Sequence, residues 1–125
     1  MGIGKIDNYK FYDGYGYEPE VELTTNIETM ETLHIWDGFF MDIFGEPSLD
    51  GKGWLGFTRD YNQCEGAFDD GEAIITDLQE YIDDLKIYEN RKFRFEETKE
   101  VYDLISAWLT EAQKNNCKEI TVRVI

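Results

Sequence analysis

The chain has 125 residues, 27 of them acidic and 12 basic, and with a single histidine, His34, its formal net charge is −15. Such a charge opposes nucleic-acid binding, which is driven by cations that displace the counterions of phosphate. A hydrophobic content of 42% with 15% aromatics also separates the sequence from acidic disordered tails, which lack the apolar residues to offset ordering entropy. At this length one core forms and a second does not. No Pro- or Ser-rich linker, low-complexity tract or internal repeat interrupts the sequence, so residues 1–125 read as a single globular domain.

The first half reads as strands and turns. Phe11, Tyr12, Tyr15 and Tyr17, interleaved with Gly14 and Gly16, suit a pleated surface and its turns. In Leu33 to Phe44 the pair Asp37-Gly38 stands between two apolar runs, a hairpin signal; a helix from Asn26 to Trp36 ending near Gly38 is the alternative. A turn over Pro47 to Gly53 leads to Trp54-Leu55-Gly56-Phe57-Thr58, taken as the next strand. The period then changes from two to about 3.6. From Asp70 onward Ile74, Ile75, Leu78, Tyr81, Ile82 and Leu85 share one helical face, with Asp69 or Asp70 as the cap. Lys92 to Glu96 reads as a short strand. Val101, Leu104, Ile105, Trp108, Leu109 and Ala112 form a second amphipathic helix from Thr98 to about Asn115-Asn116, and Ile120, Val122 and Val124 alternate in a closing strand. The expected fold is α+β, a mostly antiparallel sheet with two amphipathic helices in the C-terminal half.

No apolar run approaches the ~18 to 20 residues that span a bilayer. Lys5, Asp7 and Lys10 stand where a signal peptide would be apolar, and Ile6 breaks the myristoylation pattern that Met1-Gly2 begins, so the expected address is cytoplasmic, with no membrane partner. Cys64 and Cys117 lack C-x-x-C spacing and read as reduced thiols. The search for chemistry assigns no catalytic residue, no metal ligand and no cofactor. His34 reads as a structural or surface histidine. Ser48 and Ser106 lack the context of a nucleophile elbow, and Cys64 with His34 matches only a very loose thiol pattern. Three Cys and His residues in total are few for zinc. The loop from Asp60 begins as an EF-hand does, but Glu65 stands at the turn-glycine position and Gly71 at the bidentate-Glu position.

Charge distribution is the informative feature. Residues 1–90 hold 21 acidic and 5 basic side chains, against 6 and 7 in residues 91–125. Residues 60–89 are densest, with Asp60, Glu65, Asp69, Asp70, Glu72, Asp77, Glu80, Asp83, Asp84 and Glu89 facing the single base Lys86. At about 100° per residue, Asp77, Glu80, Asp83 and Asp84 fall away from the apolar face set by Leu78 and Leu85. Their like-charge i+3 and i+4 pairs cost on the order of 1 kcal/mol together. This acidic outer surface reads either as a solvated face that maintains solubility or as a docking face for a basic protein, for which Trp54 and Tyr61, otherwise core residues, would be the aromatic anchors.

The run Gly53-Trp54-Leu55-Gly56-Phe57-Thr58-Arg59-Asp60-Tyr61, followed by the acidic helix in a small acidic chain, resembles the immunity proteins of bacterial toxin systems, in particular those of contact-dependent growth inhibition. That resemblance implies a cognate inhibitor that binds the toxic C-terminal domain of a large exoprotein, commonly a nuclease, and occludes its active site or substrate surface. No catalytic residue transfers, because such proteins act by occlusion. On this reading Asp60, Asp69, Asp70, Glu72, Asp77, Glu80, Asp83 and Asp84 meet the toxin, and reversing Asp77, Glu80 and Asp84 to Lys weakens binding with the fold intact. The alternatives are a small metal-dependent enzyme using acidic residues and an acidic nucleic-acid mimic.

Overall fold

A computed structural model describes residues 7–12, 19–27, 29–45 and 54–125. Strands β1 (Asp7–Phe11), β2 (Glu20–Thr25) and β3 (Thr32–Trp36) come first, followed by helices α1 (Asp37–Phe44), α2 (Gly56–Asn62) and α3 (Ala67–Asp70). Strand β4 (Glu72–Ile75), helices α4 (Leu78–Lys86) and α5 (Thr98–Lys114) and strand β5 (Ile120–Val124) complete the order. The five strands form one mixed sheet in the order β1-β3-β2-β5-β4. Only the β1–β3 pair is parallel; β2–β3, β2–β5 and β4–β5 are antiparallel. The fold is α+β, with the mostly antiparallel sheet and the two amphipathic C-terminal helices expected from sequence.

Strand alternation gives the sheet two unlike faces. On one, Val21, Leu23, Leu33, Ile35, Ile75, Ile120 and Val122 join the apolar sides of α1, α4 and α5 in one buried cluster. Phe39, Phe40, Phe44 and Phe57 lie at its centre, all but inaccessible to solvent. Burial of such a side chain is worth roughly 1.5 to 3 kcal/mol. Helix α5 packs against both α1 and α4, and α2 packs on α4. The opposite face is polar. There the register aligns Glu72 with Arg123, Arg123 with Glu22, and Glu22 with His34, a row of alternating character across four strands.

Four local expectations are corrected. Leu33 to Phe44 is neither a hairpin nor a helix ending at Gly38: a strand passes directly into a helix at Trp36–Asp37. The two-residue period stops at Asp37, and Phe39, Phe40, Ile43 and Phe44 bury one helical side, with Asp37 placed favourably in the first turn. Trp54 to Thr58 is not a strand, because α2 starts within it at Gly56. The helix expected from Asp70 is interrupted: Gly71, at φ +85°, ends α3, and Ile74 and Ile75 belong to the edge strand β4, pointing outward and inward. Helix α4 starts afresh behind Asp77, whose carboxylate accepts from the Glu80 N–H. Lys92 to Glu96 forms no strand. Helix α5 and strand β5 match their predicted bounds. Tyr15, Tyr17 and the Pro47 to Gly53 turn lie outside the described residues.

Candidate functional site

The acidic stretch separates into carboxylates that build the fold and carboxylates that face solvent. Asp84 belongs to the first group and corrects the expected outer face: it is fully buried. Helix α4 has two neighbours, α5 and α2, so its buried arc is wider than the stripe marked by Leu78 and Leu85. On the side of α2 that arc takes in Tyr81 and Asp84, and buried Tyr88 follows in the turn after the helix.

Asp84 serves as the cap that α2 lacks. Leu55 offers no side-chain cap; instead Asp84 Oδ2 accepts the Thr58 N–H at 2.9 Å and Oδ1 accepts the Thr58 hydroxyl. Thr58 Oγ1 lies 2.7 Å from the Tyr88 hydroxyl, and the Gly56 N–H donates to Glu80 Oε2 at 3.2 Å. Positive helix-end charge thus faces two carboxylates. Gly56 makes the approach possible: its φ is +55°, and a Cβ there would stand 2.9 Å from the Asp84 Cβ. Burial pushes the Asp84 carboxyl up to about 6, against the opposing effect of the Thr58 hydrogen bonds.

Asp60 and Glu80 are engaged in the same seam. Asp60 is buried and accepts from the Tyr81 hydroxyl, and Arg59 bridges Asp60 and Glu80, with N···O distances of 3.1 Å to each. Burial and this hydrogen bond both raise the Tyr81 phenol. The like-charge cost expected along α4 is therefore offset: Glu80 has Arg59, Asp84 has Thr58, and Asp83 has Gln79 at 2.8 Å. Asp77 is the cap of α4. Tyr61 is half-buried, stacked edge-on to Phe68 at 5.0 Å; burial and the neighbouring Asp37 push its phenol up to about 12. Trp54 is half-buried.

Asp69, Asp70, Glu72, Asp77 and Asp83 are exposed. The first three follow one another through α3 into the edge strand β4, and Asp83 lies on α4. Among the described residues, no Lys or Arg forms an ion pair with Asp69, Asp70, Glu72 or Asp77, and Asp83 has only an outlying Lys86 contact at 3.9 Å. Exposed Ile74 adds an apolar side chain beside Glu72. A cleft of about 420 Å³ lined by Thr29, Met30, Glu31, Leu104, Ala107, Trp108 and Glu111 shares no residue with this set.

Sequence reasoning missed a second polar group. His34 is buried on the polar sheet face with carboxylates at both ring nitrogens: Nδ1 is 2.9 Å from Glu20 Oε1 and Nε2 is 2.9 Å from Asp7 Oδ1. Glu22 Oε2 is 3.8 Å from Nδ1. The i, i+2 spacing of Glu20 and Glu22 marks one strand face; only the β2–β3 register brings His34 to it. Cys64 and Cys117 are free thiols, and no helix among the described residues is long and apolar enough to cross a membrane. Compared with family models, with curated proteins and with solved structures, the chain matches none.

Proposed function

We propose that this chain is a binding protein for a basic protein domain, and that it acts as an immunity protein by covering the cationic surface with which a nuclease toxin holds its substrate. The observation that carries the reading is the state of Asp69, Asp70, Glu72 and Asp83: exposed along α3, β4 and α4, with no ion pair to Asp69, Asp70 or Glu72 among the described residues and only Lys86, at 3.9 Å, beside Asp83. The carboxylates with structural work in the same stretch, Asp60, Glu80 and Asp84, are held inward by Tyr81, Arg59 and Thr58. A nuclease surface is positive because it must hold phosphate, and an opposing array of carboxylates accelerates encounter and disfavours partners of the wrong sign.

The direct experiment is co-purification of the chain with the C-terminal domain of the protein encoded immediately upstream of its gene, the expected toxin, with nuclease activity measured for the free domain and the complex. The expected result is a one-to-one complex without nuclease activity. An active upstream domain that fails to bind the folded chain overturns the reading, and comparable binding to several unrelated basic proteins replaces a cognate inhibitor with a general nucleic-acid mimic.

A further inference from the structure

We propose that Glu20, Glu22 and His34 form a binding site for a divalent transition-metal ion of the zinc type, on the sheet face opposite the helices. The three donor atoms come from adjacent strands in fixed register. Glu20 and Glu22 are two apart on β2, and Glu22 pairs directly with His34 on β3. His34 Nδ1, a Glu20 oxygen and a Glu22 oxygen all lie within 4.8 Å of one another, and His34 and Glu20 are buried.

The surrounding contacts orient each donor inward. Asp7 Oδ1, 2.9 Å from Nε2, accepts that N–H, and in a neutral imidazole this leaves the lone pair on Nδ1. A carboxylate on the far nitrogen is the usual support of a metal-bound histidine. The outer oxygen of Glu22 is engaged by Arg123 at 3.6 Å and the Thr24 hydroxyl at 3.4 Å, so Oε2 is the one that turns toward the ring at 3.8 Å.

In the neutral imidazole with its proton on Nε2, three electron pairs converge in a largely buried space, which is unfavourable unless they share a cation. A proton on Nδ1 reaches Glu20 at 2.9 Å but not Glu22 at 3.8 Å. A tetrahedral ion with bonds of roughly 2.0 to 2.1 Å holds its ligand atoms about 3.3 Å apart, between those two separations, and satisfies all three donors. One imidazole and two carboxylates favour zinc or a similar first-row ion over calcium and magnesium, which take oxygen ligands. Three protein ligands leave a fourth position open. None of Asp69, Asp70, Glu72 and Asp83 is among the ligands, although Glu72 lies in the same cross-strand row, opposite Arg123.

The test is titration of chelator-treated chain with Zn²⁺ alone by calorimetry and with Co²⁺ alone by absorption. The same titrations are run on Glu22→Gln and on a Cys64→Ser/Cys117→Ser double variant. Expected is one site per chain that gives cobalt visible bands without a thiolate charge-transfer band, persists in the cysteine variant, and weakens at least about tenfold in Glu22→Gln. Absence of stoichiometric binding, loss of binding with the cysteines, or equal binding by Glu22→Gln overturns the proposal. Should Glu22→Gln fail to fold, the imidazole resonances of the wild type decide, because His34 is the only histidine. Their displacement by Zn²⁺ supports the site, and unmoved resonances overturn it.

Discussion

Protonation of Asp84 should be visible in the pH dependence of stability. Its carboxyl lies near 6 in the fold, raised mainly by burial, against 3.8 for the ordinary group. Between about pH 4 and 6 the native chain therefore binds more protons at this position than the unfolded chain, so the contribution is fully present below that window and is lost as pH rises through 6. This difference corresponds to on the order of 3 kcal/mol. Urea denaturation of wild type and Asp84→Asn at pH 4 and pH 7 should show the wild type losing stability relative to the variant as pH rises; parallel profiles would contradict the assignment. Asp42 acts with the opposite sign. Although desolvation raises it, hydrogen bonds from the Thr98 hydroxyl and the Phe95 and Arg94 N–H groups prevail and hold its carboxyl below the ordinary range. Its stabilisation is present above that range and fades as acid protonates it. Asp42→Ala removes all three bonds and should lower stability by about 1 to 3 kcal/mol in chemical denaturation at pH 7.

At the scale of elements, helix α2 takes its cap from helix α4, and this decides what could be read in advance. Helix α5 and strand β5 were legible because their hydrophobic periods run without interruption for 17 and 5 residues. Helix α2 was not: Trp54 to Thr58 has strand composition, and only Glu80 and Asp84, more than twenty residues further on, supply acceptors for its first N–H groups. The break between Ile75 and Leu78 did carry a signal in Asp77-x-x-Glu80, a cap preceding a periodic run, but Ile74 and Ile75 fit the helical period by chance. The exposed acids of α3 and β4 were legible from composition, whereas the burial of Asp60 and Asp84 and the meeting of His34 with Glu20 depend on tertiary packing and strand register. Asp77→Ala should cost about 1 kcal/mol through loss of the α4 cap, and Gly56→Ala should cost more, combining a positive φ with the approach of Asp84. Thermal unfolding of the two variants checks that order, and equal losses would remove the close-approach role of Gly56.

Over the whole molecule, a net charge of −15 makes self-repulsion a general destabilising influence that salt should relieve. Thermal stability should rise between low and moderate sodium chloride, and a fall would place the internal pairs of Arg59 above the net repulsion. The same charge serves association only where carboxylates are free to meet a partner. Reversing Asp77, Glu80 and Asp84 therefore cannot isolate docking, since it removes the α4 cap, the Arg59 pair and the buried Thr58 network. Asp69, Asp70 and Asp83 offer exposed positions instead. The decisive measurement is the association rate of the proposed toxin partner with wild type and with the Asp69→Lys/Asp70→Lys/Asp83→Lys variant across ionic strength. Association roughly tenfold or more slower at low salt, a flattened salt dependence and an unchanged circular dichroism spectrum are expected. A folded variant that associates at the wild-type rate with the wild-type salt dependence would contradict docking through this face.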